Sequence, residues 1–195
     1  MDVKSSFFNG DLEEEVYIEQ PERFILGNDA KLVCRLRKAL YGLKQAPRAW
    51  YYHIDKYLHQ QGFSKGSTDR NIYTKFDTNK FIIIVVYVDD IIFGSNEEST
   101  SQNFASVMQQ EFEMSLLGEL TYFLGLQVQQ NKDGIFLSQT KYLKQIFKRY
   151  DMEYSKPVCT LMVTGCSLSS NDESATVRQP TYRSIIGRLL YLTGT

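Results

Sequence analysis

The chain has 195 residues, 43% of them hydrophobic, 13% aromatic and 23% charged, which is enough to bury a core and excludes disorder as a global description. Its 22 Lys and Arg nearly cancel its 23 Asp and Glu, and the net charge of -1 excludes a protein that holds nucleic acid by bulk positive charge alone. Cys34, Cys159 and Cys166 form no C-x-x-C pair and stand apart from His53 and His59, which argues against a zinc site or a disulfide framework. The longest apolar run, Phe81 to Val88, stops well short of the ~18 residues of a spanning helix, and the N-terminus has no signal-peptide pattern. The expectation is a soluble intracellular protein with no membrane partner.

In chain order, apolar and polar residues alternate from Met1 through Phe7, which predicts a strand at the very start and hence a fragment. An acidic cluster follows at Asp11, Glu13, Glu14 and Glu15. Lys31 to Leu36 predicts another strand and leads into a basic stretch containing Arg35, Arg37, Lys38, Lys44 and Arg48. The acidic and basic segments are expected on opposite faces. From Pro47 the period becomes helical, with Trp50, Ile54, Tyr57, Leu58 and Gln61 on one face and Gly62 as the stop. Asn71 to Phe76 and Phe81 to Val88 predict a hairpin turning at residues 77–79, and Ile91 to Phe93 a further short strand. Ser95-Asn96-Glu97-Glu98 predicts a capping box for a helix running to about Phe112. Leu120 to Gln129 and Gly134 to Leu137 predict a second hairpin, followed by a helix whose Tyr142, Leu143, Ile146, Phe147 and Tyr150 share one side. Residues 166–179 are polar and predict a linker, after which Ile185, Ile186, Leu189 and Leu190 repeat at helical spacing.

Chemistry concentrates at Tyr87-Val88-Asp89-Asp90, where two adjacent carboxylates interrupt an otherwise apolar stretch. Like charges ~4 Å apart at an effective dielectric near 20 repel by about 4 kcal/mol, which favours a cation between them or a raised pKa. An Asp-Asp pair is also an ordinary solvated turn, so the dipeptide alone leaves both readings open. Asp2, on the more polar face of the first strand, is a second source of carboxylate. One strand aspartate and an Asp-Asp on a later hairpin suit two Mg²⁺ ions, with Mn²⁺ as a substitute, in phosphoryl transfer.

The order of DVKSSFFNG from Asp2, LYGLKQAPRAW from Leu40, YVDDIIFGS from Tyr87 and GELTYFLGLQV from Gly118 closely resembles the reverse transcriptase of copia-type retrotransposons, over nearly the whole chain. The resemblance implies that Asp2, Asp89 and Asp90 are the catalytic metal ligands and that Phe7 blocks the ribose 2′-hydroxyl of an incoming nucleotide. It implies further that Tyr41 and Gly42 line the nucleotide pocket and that Phe123, Leu124 and Gly125 grip the primer end. From the residues alone, Phe7, Phe123 and Leu124 read equally as inward-packing apolar side chains. Lys44 and Arg48, beside the Pro47 helix, read either as template phosphate contacts or as a solvated basic face.

The implied fold is α+β: a polymerase palm-type antiparallel sheet covered by helices, with a partial thumb or connection. Residues 1–165 would form the palm and adjoining thumb-like region, 166–179 the linker, and 180–195 the start of a connection segment. Two departures stand out. The basic fingers strands that the family carries ahead of Asp2 are absent, and no Lys, Arg or His occurs between Asp90 and Phe123 to serve as a general acid. The implied partners are an RNA or DNA template with its primer, deoxynucleoside triphosphates, and the rest of a Pol polyprotein with its fingers and ribonuclease H. The place of action is left open between a cytoplasmic particle and the nucleus. The leading reading is a fragment of an RNA-directed DNA polymerase, weakly active or inactive alone; the alternatives are an inert retrotransposon remnant that keeps the palm fold and a metal-dependent phosphatase or nuclease.

Overall fold

A computed structural model describes residues 1–25, 32–160, 162, 165–166, 169 and 176–194, which form two compact units, Met1–Glu119 and Leu120–Thr195. In the first, β1 is Asp2–Val3, β2 Tyr17–Glu19, β3 Val33–Arg35, α1 Ala46–Gln60, β4 Ser64–Lys65 and β5 Ile72–Asp77. It continues with β6 Lys80–Tyr87, β7 Asp90–Ser95, α2 Glu98–Glu111 and β8 Met114–Ser115. Six strands make one antiparallel sheet in the order β4-β5-β6-β7-β1-β8, so the first strand of the chain is inserted between two late ones.

The core forms where the sheet's alternation meets the helices' period. Ile82, Ile84 and Val86 of β6, Ile91 of β7, Val3 of β1 and Tyr73 of β5 all point to one face and are buried. Trp50, Ile54 and Leu58 of α1 and Phe104 and Met108 of α2 cover that face in a single apolar cluster. Phe104 stands edge-on to Phe63 at 5.6 Å and to Phe93 at 4.9 Å, an arrangement aromatic quadrupoles favour. Pro47 sits in the first turn of α1, where its missing N–H costs nothing, and Gly62 at φ +83 turns the chain out of the helix.

At the margin of this core the Asp55 carboxylate accepts hydrogen bonds from Tyr73 Oη at 2.6 Å and Lys65 Nζ at 2.7 Å. Burial would raise the Asp55 carboxyl, but the Lys65 and Tyr73 donors outweigh it and hold the group below the ordinary carboxylate range.

In the second unit β9 is Tyr122–Phe123, β10 Leu126–Asn131, β11 Gly134–Ser138, α3 Thr140–Arg149 and α4 Gln179–Gly194. The three strands form an antiparallel sheet in the order β11-β10-β9. Leu124 and Gly125, at φ 45 and 85, make the tight turn between β9 and β10. The Tyr191 hydroxyl of α4 donates to the Leu124 carbonyl, and its ring stands edge-on to Tyr142 of α3 at 4.8 Å. Among the described residues, antiparallel sheets and four α-helices are therefore present, giving a mixed α/β chain. Among the described residues, no helix is long and apolar enough to cross a membrane. Most of the 166–179 segment lies outside the described residues.

Three expectations need correction. The opening strand ends at Val3: Ser5 takes the left-handed φ of 51, and Ser6–Asn9 coil into a 3₁₀ turn that carries Phe7. No capping box forms at α2: the helix starts only at Glu98 behind an N-cap of Glu97, the Ser95 hydroxyl bonds the Glu97 carbonyl and Ser101, and the Glu98 carboxylate accepts from Gln102 Nε2. The acidic and basic segments do not take opposite faces. They pair, with β2 antiparallel to β3 and Arg35 3.1 Å from Glu15.

Gly10 joins the 3₁₀ turn to α1. A Cβ there would lie 2.6 Å from the backbone of Ala49 and Trp50, so the turn reaches the helix only because position 10 has no side chain. Gly10→Ala should destabilise the fold by about 1–3 kcal/mol in denaturant unfolding, the usual cost of overpacking. Gly94→Ala, with open space around the added carbon, should be silent by comparison; equal effects would refute the close approach.

Candidate functional site

Asp2 and Asp90 are direct cross-strand partners of β1 and β7. Each is followed by a fully buried residue, Val3 and Ile91, so the pleat turns both carboxylates to the face that the helices leave open. Residues directly opposite in an antiparallel pair have Cβ atoms about 4.5–5.5 Å apart, and like charges in such a pair are destabilising. Asp89 lies one residue earlier, in the tight turn between β6 and β7, and its carbonyl accepts the Val3 N–H at 2.9 Å. Burial pushes the Asp90 carboxyl up, and the negative charges of Asp89 and Asp2 push it further; the Met1 ammonium offsets part of this. None of the three aspartates is ion-paired to Lys or Arg among the described residues.

These groups suit a hard divalent cation. No cluster of three or more His, Cys, Asp or Glu side chains is arranged to hold an ion among the described residues. Mg²⁺ does not need one, since it is commonly bound by one or two carboxylates and takes its remaining oxygens from water and substrate phosphates. Two facing carboxylates with a third in the adjoining turn, short of positive partners, have that donor chemistry.

The turn holding Asp89 is itself unusual. Tyr87 pairs with Asp90, leaving Val88 and Asp89 as a two-residue loop, and Val88 has φ 55. Such loops require a positive φ at their first position, normally supplied by Gly, Asn or Asp. A β-branched residue there costs of order 1–3 kcal/mol and persists only when its surroundings impose it.

Nearby in sequence, Phe7 is half-buried on its 3₁₀ turn and packs against the core, with its ring 4.6 Å from that of Tyr41. The buried Ser6 hydroxyl is 3.4 Å from Tyr41 Oη, and Gly42 takes φ 94. Tyr41, Lys44 and Arg48 are exposed. Asp2, Asp89 and Asp90 are thus brought together, and Phe7 and Tyr41 form a second grouping. Phe123, Leu124 and Gly125 belong to the second unit, where Leu124 is exposed at the tip of its turn rather than packed inward. The sequence reading missed Trp50, whose indole N–H donates to the Val88 carbonyl at 2.5 Å. A lone tryptophan at a buried helical position was the available signal, since a buried indole N–H needs an acceptor.

Residues 1–164 match the family profile described as reverse transcriptase (RNA-dependent DNA polymerase). The chain belongs to this family, and its motifs and relatives are those of copia-type retrotransposons. It is 36% identical, over 98% of its length, to the Retrovirus-related Pol polyprotein from transposon TNT 1-94 of Nicotiana tabacum, covering 15% of that protein. It is 37% identical over its whole length to the Retrovirus-related Pol polyprotein from transposon RE1 of Arabidopsis thaliana, covering 13% of it. A third relative, the Putative transposon Ty5-1 protein YCL074W of Saccharomyces cerevisiae, is 29% identical over the whole chain, which covers 64% of that protein. The chain therefore spans about a seventh of the plant polyproteins it matches. No solved structure matches it.

The raised Asp90 carboxyl has a consequence for stability. Its proton binds the folded state more tightly, so the contribution is full below the unfolded value of ~3.9 and is lost as pH rises through the higher folded value. With divalent ions chelated, Asp90→Asn should unfold at a higher denaturant concentration than the parent at pH 7, and that advantage should shrink as the pH falls through the raised folded value and be gone below the unfolded value of ~3.9. A parent more stable than Asp90→Asn at pH 7 would show that the carboxylates do not repel.

Proposed function

We propose that this chain is the palm, with an adjoining thumb-like region, of an RNA-directed DNA polymerase that extends a primer on an RNA or DNA template. The observation that carries the reading is the pairing of Asp2 with Asp90 on the open face of the sheet, with Asp89 in the adjoining turn and, among the described residues, no Lys or Arg ion-paired to any of them. Asp2, Asp89 and Asp90 would hold two Mg²⁺ ions, or Mn²⁺ in their place. Such ions, when bound, act as Lewis acids that favour ionisation of the attacking primer hydroxyl and stabilise the departing pyrophosphate. The protein's part is to fix carboxylate geometry: β1 and β7 are tied by backbone hydrogen bonds on both sides of the Asp2–Asp90 pair, from Val3 N–H to Asp89 and from Ile91 N–H to Met1.

Phe7, braced by Tyr41, would meet the sugar of an incoming deoxynucleotide and reject a 2′-hydroxyl by bulk, since an aromatic ring offers no polar partner to it. Tyr41 and Gly42 would line the nucleotide pocket, while Lys44 and Arg48 would contact phosphates without reading bases. Phe123, Leu124 and Gly125 would hold the primer end. The remainder of a Pol polyprotein is the partner this reading implies.

The direct test is Mn²⁺ binding by the 195-residue chain, followed by electron paramagnetic resonance, together with primer extension in the same metal. Asp90→Asn should weaken Mn²⁺ binding on the order of 100-fold and abolish any template-directed incorporation. A chain that binds no Mn²⁺, or extension indifferent to Asp90→Asn, overturns the proposal. In a separate comparison, Phe7→Ala should raise incorporation of ribonucleotides relative to deoxynucleotides; unchanged discrimination would assign Phe7 to the core alone.

A further inference from the structure

We propose that Trp50 is a positioning residue for the carboxylate turn: its indole N–H, donated to the Val88 carbonyl, holds the left-handed peptide that aims Asp89 and Asp90. The inference rests on the reading of those aspartates as metal ligands. It adds a residue that touches neither metal nor substrate and acts through another residue's backbone.

The argument begins with what the turn lacks. Val88 is among the residue types least suited to a positive φ, yet it occupies the position of a two-residue hairpin that demands one. Its side chain does not hold it there by burial, since Val88 is 46% exposed. Two hydrogen bonds from outside the hairpin act on the loop's two carbonyls instead. The Val3 N–H fixes the Asp89 carbonyl at 2.9 Å, and Trp50 Nε1 fixes the Val88 carbonyl at 2.5 Å. Together they set the orientation of both peptide planes that flank Asp89.

Trp50 can impose this orientation because it is itself immobilised. It is 2% exposed, it stands edge-on to Phe112 at 5.5 Å, and the backbone at its own position meets Gly10. An indole has one donor, fixed in the ring plane, so a ring held on all sides presents its N–H in a single direction. An arbitrary buried indole would be satisfied by any acceptor. Here the acceptor is the peptide immediately before Asp89, in a loop whose backbone would otherwise relax.

Trp50 is the chain's only tryptophan, so its indole N–H gives one resolvable signal in a nitrogen-15 correlation spectrum. In the unmutated protein that proton should exchange slowly, and its resonance should shift during a Mg²⁺ titration with the same midpoint as metal binding. This readout needs no variant. A double-mutant cycle then separates positioning from general structural damage. Trp50→Phe keeps most of the ring volume and deletes the donor, and should weaken Mn²⁺ binding about 10-fold or more, as loss of outer-sphere support does. Val88→Gly removes the steric objection to positive φ, so in that background Trp50→Phe should cost less than about 3-fold.

If the unmutated chain binds no Mn²⁺, both the metal-ligand reading and this inference fall. Where Mn²⁺ binds but Trp50→Phe binds it equally well, or loses affinity equally in both backgrounds, the positioning role alone is overturned and the aspartates keep theirs. An indole resonance indifferent to Mg²⁺ in a chain that binds it overturns the role as well.

Discussion

A pleated sheet resists having two aspartates directly opposite each other on neighbouring strands, and that resistance organises much of the first unit. The repulsion between Asp2 and Asp90 acts across a pair of strands of which one, β1, is only two residues long. So short a strand is held by what flanks it. Val3 is buried in the core beneath, Lys4 N–H bonds the Glu113 carbonyl, and the Lys4 ammonium pairs with the Glu113 carboxylate at 2.9 Å. The apolar cluster and the backbone ladder therefore hold the carboxylates in a geometry they would not choose, as expected where a site gives up local stability for charge placement.

Three stretches far apart in the chain meet to do this. Gly10 lets the turn after β1 lie on the backbone of α1; Trp50 of α1 reaches the loop after β6; and that loop's next carbonyl returns to Val3 of β1. The circuit is closed, so a disturbance at any one contact reaches the other two. A single N–H to C=O bond contributes only about 0.5–1.5 kcal/mol net, whereas leaving the buried indole donor unpaired would cost about 1–3 kcal/mol. The asymmetry matters more than either figure, because it makes the bond hard to abandon without expelling the tryptophan from the core.

Periodicity made the elements with regular chemistry legible. The 3.6-residue spacing of Trp50, Ile54 and Leu58 corresponds to a buried helix face as read, and the apolar run from Phe81 to a hairpin strand, though so uniform a run does not say which of its residues face the core. What escaped was conformation set by single residues or by distant partners. The 3₁₀ turn at Phe7 depends on a left-handed Ser5 that no alternation reveals, and the expected box at α2 does not form because the Ser95 hydroxyl turns to the Glu97 carbonyl and Ser101. Likewise, the acidic and basic stretches were visible as charge but not as a pair, since pairing depends on the antiparallel register of β2 and β3. Of the site, Asp89 and Asp90 stood out because they interrupt an apolar run, Asp2 entered as a polar-face strand carboxylate whose ligand role the resemblance then implied, and the role of Trp50 came from neither.

Register links the fold to the chemistry most tightly. Side chains alternate along a strand with period two, so a slip of one residue between β1 and β7 would end the direct opposition of Asp2 and Asp90; a slipped pleat in either strand would turn its carboxylate into the apolar cluster and expel Val3 or Ile91. Burying a charged carboxylate there without a partner would cost far more than the repulsion relieved, because desolvation exceeds a screened like-charge interaction at a partly open face. The core thus enforces the site: the same alternation that buries Val3, Ile84 and Ile91 leaves the two aspartates outward and opposed. No separate device for gathering the carboxylates is needed, and mutations that loosen the core beneath them should act on the site through register before they act on it through charge.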